Sequence, residues 1–138
     1  MSTANEISAL LAAAKTNAST LDKSVPDTEA EIFDLVSTFE ARMQHNFKRG
    51  PFFKKLRALL IEKDQTDLAT AVHHYALAVN VLKHGTGASY RDLKTAGPLP
   101  FTLHIPAGNI RLVDVKEGGF YAGLVDTLDQ AHSFLVNR

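Results

Sequence analysis

Three polar residues, His73, Asn80 and His84, share one face of a predicted helix that is apolar almost all the way round. Steps of seven and four residues place them within about 40° of one another around the helix axis. A lone buried polar group costs free energy unless it finds a partner. The three side chains could contact a ligand, a phosphate or a second copy of the chain, or they could bond to neighbouring helices. We favour the second interpretation for His73, and the residues favour neither for Asn80 and His84.

Metal binding and nucleophilic catalysis are not indicated. The chain has six histidines and no cysteine, and no histidine pair has the four-residue helical spacing of a zinc protease. His73 and His74 are neighbours and cannot both face one ion from a regular helix. Ser89 and Ser133 lie outside any Gly-x-Ser-x-Gly context. We therefore expect no metal and no cofactor.

One basic cluster is interleaved with aromatic residues: Lys48, Arg49, Phe47, Phe52, Phe53, Lys54, Lys55 and Arg57. Cations mixed with rings can hold single-stranded nucleic acid. The helical spacing favours a simpler interpretation, in which the phenylalanines enter the core and the cations stay in water.

Length and charge bound the function only loosely. The 138 residues are enough for one domain, 1–138, and fifteen basic residues balance fifteen acidic ones. No global field favours nucleic acid or membrane, although RNA could still use a local patch. The chain shows neither a secretory signal at its start nor a run of apolar residues long enough for a bilayer. We expect a cytoplasmic protein that does not bind membranes.

The periodicity predicts a mainly α protein, a bundle of about five helices. Residues 1–25 form an N-terminal helix and connector, with a capping box at Thr3 and Glu6. A second capping box, Thr28 with Glu31, opens the next helix. The remaining helices begin at Pro51, at Thr66 (ending at Gly85), at Ser89 and at Phe120.

Residues 97–119 read differently from the rest. Pro98 and Pro100 exclude helix, and the segments 101–105 and 110–115 alternate as strands do. We predict a β-hairpin inserted before the C-terminal helix. Because it lies between proline-rich and glycine-rich breaks, we expect it to be dispensable for the helical core and required for assembly or partner binding.

The segment Asn80-Val-Leu-Lys-His-Gly85 resembles the end of the long helix in HEPN-type domains, small helical bundles of prokaryotic toxin–antitoxin and anti-phage systems. The family motif is an arginine, usually followed by a polar residue, with a histidine four to six residues beyond it. Asn80 matches the polar position and His84 the histidine, whereas Val79 occupies the arginine's place. In active members two such helices meet across a homodimer and cleave RNA without metal.

The resemblance implies a small regulatory or interaction protein that acts as a homodimer or with a protein partner. Without the arginine, the cation that holds the phosphate is missing, so a non-catalytic role is favoured. Lys83 is expected on a different face of the helix, and Arg91 lies beyond two glycines. The alternative is a metal-independent ribonuclease in which Asn80 contributes to the site and His84 is the acid/base. A small-ligand binder that uses His73, Asn80, His84 and Arg91 is a third hypothesis.

Overall fold

The computed structural model describes residues 3–18, 25–47, 50–108, 111–115 and 119–137. Within these ranges the protein is mainly helical, as predicted, with six α-helices and one turn of 3-10 helix, Gln44–Asn46. The α-helices are α1 (Thr3–Ala18), α2 (Val25–Met43), α3 (Phe52–Glu62), α4 (Thr66–His84), α5 (Ala88–Lys94) and α6 (Phe120–Asn137).

Helix α4 lies at the centre of the bundle. It packs against α3, α5, α6 and α2, and α1 packs against α6 and α2. Buried apolar side chains from all six helices form one continuous cluster. Because neighbours in the same chain cover the apolar residues of α4, that helix does not need a second copy to bury them. The apolar character of α4 therefore gives no reason of its own to expect a homodimer.

Local backbone preferences explain where the helices begin and end. Gly85 ends α4 in the left-handed region (φ 73°) and donates its N–H to the Val81 carbonyl, as the sequence predicts. Asp64 ends α3 in the same region (φ 62°), which Asp tolerates better than most residues. The capping box at Thr28 is wrong, since α2 begins three residues earlier and Thr28 lies buried inside it. The box at Thr3 and Glu6 falls on side chains outside the described set.

The predicted β-hairpin is not supported, because the described part of residues 97–119 contains no strand. Leu103 and Val113 form one isolated antiparallel bridge. Two backbone hydrogen bonds accompany it, from the His104 N–H to the Leu112 carbonyl (2.7 Å) and from the Asp114 N–H to the Thr102 carbonyl (3.2 Å). Residue 109, at the end of the predicted turn 106–109, and residue 110, at the start of the second predicted strand, lie outside the described ranges.

The same segment nevertheless belongs to the core. Phe101 is 7% exposed, and its ring lies 5.4 Å from Tyr75 of α4 and 5.3 Å from Phe120 of α6. Val113 and Val115 are also buried in the core cluster. The segment fills space between helices, so the expectation that the helical core could dispense with it does not fit the packing.

An ion pair also fixes this segment to the bundle. Arg111 Nη1 lies 3.0 Å and 3.2 Å from the two carboxylate oxygens of Glu29 on α2. The Glu29 side chain is 11% exposed and the Arg111 side chain 54%. The pair therefore joins a nearly buried carboxylate to a cation at the surface.

None of the described helices combines the length and the apolar character needed to cross a membrane.

Candidate functional site: a cationic cleft between three helices

Among the described residues, a surface cleft of about 440 Å³ lies between α2, α3 and α4. Its polar and charged lining residues are Glu40 from α2, Lys54 and Arg57 from α3, and His73, Asn80 and Lys83 from α4. Apolar residues form the rest of the wall: Val36, Pro51, Phe52, Phe53, Ala76, Leu77 and Val79. A volume of this order accommodates a small organic ligand.

Three cations reach this cleft with little to neutralise them. Lys54 and Arg57 make no hydrogen bond or ion pair to any residue in the described part of the chain. The Lys83 ammonium lies 5.8 Å from the centre of the Phe33 ring, which is a cation–π contact. Glu40 is the one carboxylate in the lining. The cleft thus has an excess of positive charge, which favours an anionic ligand.

Helical spacing brings these side chains together. On α3, Lys54 and Arg57 are three residues apart, and on α4 the same step separates Asn80 from Lys83, so each pair shares a helix face. The expectation that Lys83 lies on a different face from Asn80 is wrong, because residues three apart differ by only about 60° around the axis. Close packing of α3 on α4 then places the two pairs around one cavity.

His73 lies in this cleft and is half-buried without a hydrogen bond to the described residues. Burial lowers the pKa of His73 below its ordinary value of 6.5. The positive charges of Arg57 and His74 lower this pKa further, and Asp92 raises it. The ring is therefore largely neutral at pH 7. A neutral imidazole can donate or accept one hydrogen bond at each nitrogen, according to its tautomer.

Asn80 and His84 are both exposed, in contrast to the buried pair of hydrogen-bonded groups that one interpretation of the sequence required. Asn80 lines the cationic cleft and also a second, shallower cavity of about 270 Å³. His84 lines only that second cavity, beside Gly85, Gly87 and Ser89. Asn80 therefore shares one cavity with His73 and a different cavity with His84.

Arg91 is exposed on α5 and lines neither of these two cavities. The hypothesis of a small-ligand binder includes Arg91 with His73, Asn80 and His84. In the structure it does not supply a cation to the residues of the cleft.

The basic cluster found in the sequence is divided between core and cleft. Phe52 is buried, as the simpler interpretation predicts, whereas Phe53 is half-buried and lines the cleft with Lys54 and Arg57. Lys54 and Arg57 are exposed to solvent, and both line the same cavity. Lys48 and Arg49 lie outside the described ranges.

Sequence reasoning missed Glu40, Lys54, Arg57 and Lys83 as components of one site. The three-residue spacing on α3 and α4 was a usable signal for two pairs. No local pattern shows that Glu40, which precedes Lys54 by 14 residues and Asn80 by 40, lines the same cavity. The arrangement can bind an anion through charge and hydrogen bonds, with an apolar wall behind it. Among the described residues, no three His, Asp or Glu side chains gather as a metal site would require.

Comparison with known proteins adds no relative to this description: no protein-family model matches the sequence, and searches of curated proteins and of solved structures find no significant match.

Proposed function

We propose that this chain is a small intracellular binding protein that recognises an anionic ligand, with phosphate as the best-fitting group, in the cleft between α2, α3 and α4. The observation that carries the proposal is the convergence of Lys54, Arg57 and Lys83 on one cavity that holds a single carboxylate. Solvated lysines scattered over a surface would have no common target, whereas these three side chains come from two helices to the same place.

Hydrogen-bonding groups complement the charge. The Asn80 amide supplies two N–H donors and His73 a further nitrogen, both without partners among the described residues. Hydrogen bonds to an ionised oxygen are about twice as strong as neutral ones, so a phosphate could use both charge and donors here. We propose a regulatory, non-catalytic role for the cleft, which would bind the anion through charge and hydrogen bonds.

Association with a second copy or with a protein partner remains part of the proposal as a prediction from the HEPN resemblance. Sedimentation of the purified protein at tens of micromolar, an order of magnitude suited to a modest interface, measures it directly. A monomer at this concentration would remove the homodimer from the proposal without affecting the cleft.

A second candidate function is metal-independent cleavage of RNA. His84 favours it, since this histidine is exposed and shares a cavity with Asn80, as an acid/base that must reach substrate requires. Val79, which occupies the position of the HEPN arginine, does not support RNA cleavage, because it is 3% exposed and belongs to the core. Cleavage of single-stranded RNA in the presence of a chelator, lost in His84→Ala, would establish this function in place of simple binding.

The test of anion binding is calorimetric titration with pyrophosphate. Arg57→Gln and Lys83→Gln should each weaken binding by about tenfold or more, since a charge-assisted hydrogen bond contributes roughly 1.5–3 kcal/mol. Lys63→Gln is the matched control, because Lys63 is an exposed cation at the end of α3 that lines none of the cavities described above. Equal losses in all three variants would show only a diffuse effect of charge, and the cleft would not be the site.

A further inference from the structure

A third cavity, here called the inner cavity, lies directly behind the inner wall of the cationic cleft. Val36, Phe53, Ala76 and Val79 line both spaces. One layer of side chains therefore separates the charged cleft from the interior of the bundle. The inner cavity extends to α6, where it is lined by Leu124, Thr127 and Leu128.

This inner cavity is small and apolar. Its volume is about 10 Å³, which is close to the minimum that admits one water molecule. Aliphatic and aromatic carbon dominates the lining, with Val72 and Tyr75 contributed by α4. Cavities of this kind stay dry and accept apolar ligands when they are large enough. Alone, the inner cavity holds no ligand, so its importance depends on what can join it to the cleft.

Phe53 is the side chain best placed to join them. It lies in the first turn of α3, is half-buried, and borders both spaces. Its ring contacts Phe52 edge to face, with 5.0 Å between the centroids. Ala76 also borders both spaces, and its methyl group is small. A rotation of the Phe53 ring towards solvent would merge the cleft and the inner cavity, and the space that the ring vacates would add to both.

We propose that the ligand is an amphipathic anion, whose phosphate or carboxylate head binds Lys54, Arg57 and Lys83 and whose apolar chain displaces the Phe53 ring to enter the inner cavity. This inference rests on the proposed function and specifies its ligand class. The structural basis is the juxtaposition of three cations, which form no ion pair with the described residues, with an apolar wall that is one side chain thick and backed by unfilled space.

Other anions satisfy only part of the site. Pyrophosphate would neutralise the cations and leave the apolar wall in contact with water. A nucleoside monophosphate could place its base against the Phe53 ring, yet a polar base edge has no hydrogen-bonding partner in the inner cavity. An anion with an apolar chain would occupy both the charged cleft and the inner cavity. Burial of each methylene group would increase its affinity by about fourfold.

The experiment is a calorimetric titration of the full chain with ethyl, butyl, hexyl and octyl phosphate, which carry one head group and chains of increasing length. Affinity should rise by about tenfold or more from ethyl to hexyl phosphate, less than complete burial of four methylenes allows, because the Phe53 ring must move. It should then level off once the merged cavity is full. Arg57→Gln should weaken every member of the series by a similar factor, because the head group is common to all.

Two filling variants test the position of the chain. Thr127→Leu and Val72→Ile add carbon to the inner cavity from α6 and α4, and neither residue lines the cleft. Each should reduce the gain from ethyl to hexyl phosphate. Phe53→Ala should increase that gain, because no ring has to move. Circular dichroism confirms that each variant is folded, and Val72→Ile, which adds a single methylene, serves if Thr127→Leu is unstable.

The outcomes separate the two proposals. Affinity that does not depend on chain length, or adenosine monophosphate binding more tightly than hexyl phosphate, would overturn the amphipathic ligand and leave the anion site in place. A chain-length dependence that persists unchanged in both filling variants would also overturn it. If neither pyrophosphate nor any alkyl phosphate binds, the proposed function fails together with this inference.

Discussion

Replacement of Phe101 by alanine should destabilise the whole helical bundle, even though Phe101 lies in a segment without helix or strand. The side chain is 7% exposed and touches two other rings, Tyr75 at 5.4 Å and Phe120 at 5.3 Å between centroids. Buried phenylalanine-to-alanine changes cost about 3–5 kcal/mol, through lost transfer free energy and the cavity left behind. The Phe101–Phe120 pair is edge to face, whereas the Tyr75–Phe101 pair is tilted. An edge-to-face pair contributes roughly 0.5–1.5 kcal/mol beyond burial, so a total cost of about 4 kcal/mol is expected.

Urea denaturation followed by far-ultraviolet circular dichroism measures this effect, because the signal comes almost entirely from the helices. With a slope of about 2 kcal/mol per molar urea, typical of a small domain, the midpoint should fall by roughly 2 M. The slope itself should stay the same if the variant unfolds in one step.

The matched control is Ile105→Ala, in the same segment. Ile105 is 71% exposed, so its truncation should change the free energy of unfolding by no more than about 0.5 kcal/mol. A cost below about 1 kcal/mol for Phe101→Ala, equal to that of the control, would refute the reasoning. Residues 101–115 would then be the dispensable insertion that their sequence suggested.

Three further predictions concern stability. Gly123→Ala should cost about 1–3 kcal/mol despite its better helix propensity, because a Cβ there would overlap the Tyr75 hydroxyl; the control Gly87→Ala has open space within 4 Å and should be nearly neutral by the same denaturation assay. His132 is buried, its Nε2 has no hydrogen-bond partner among the described residues, and burial lowers its pKa below 6.5, so the unfolded chain binds a proton first as pH falls. Stability should therefore decrease below pH 6.5 down to the folded-state pKa, and His132→Leu should make the decrease shallower in denaturation curves recorded between about pH 7 and 5. Asn80→Ala should leave the free energy of unfolding within about 0.5 kcal/mol, since this exposed amide has no partner among the described residues, while it weakens pyrophosphate binding; a large loss of stability would restore the interpretation of Asn80 as a structural group.

The sequence predicted helices well where local signals agree. The bounds of α4, Thr66 and His84, are those expected from the apolar periodicity and from Gly85, since a stop signal and a repeat coincide there. The two paired strands that alternation suggested are not supported in the described residues 101–108 and 111–115. Alternating apolar residues are equally suited to a chain that inserts Phe101 and Val113 singly between helices, and the pairing then reduces to one bridge.

The candidate site was predictable only in part, for a related reason. Periodicity along α4 places His73, Asn80 and Lys83 near one face, and this is a property of one helix. Which cations meet them depends on how α3 packs against α4, which no local pattern encodes. Burial is similarly non-local: Asn80 was expected within an apolar surrounding, yet its side of α4 borders an open cleft.

The contact between α1 and α6 has a consequence for synthesis on the ribosome. The ion pair between Lys15 and Asp129 spans 114 residues of chain, and the two helices around it cover each other's apolar faces. An isolated helix as short as α1 is marginal in water. At roughly 5–20 residues per second, α1 waits on the order of ten seconds for its partner to emerge. During that interval α2 is the one partner helix of α1 already synthesised, so Ile7 and Leu11 are only partly covered. We therefore expect the nascent chain to expose an apolar segment that chaperones can bind.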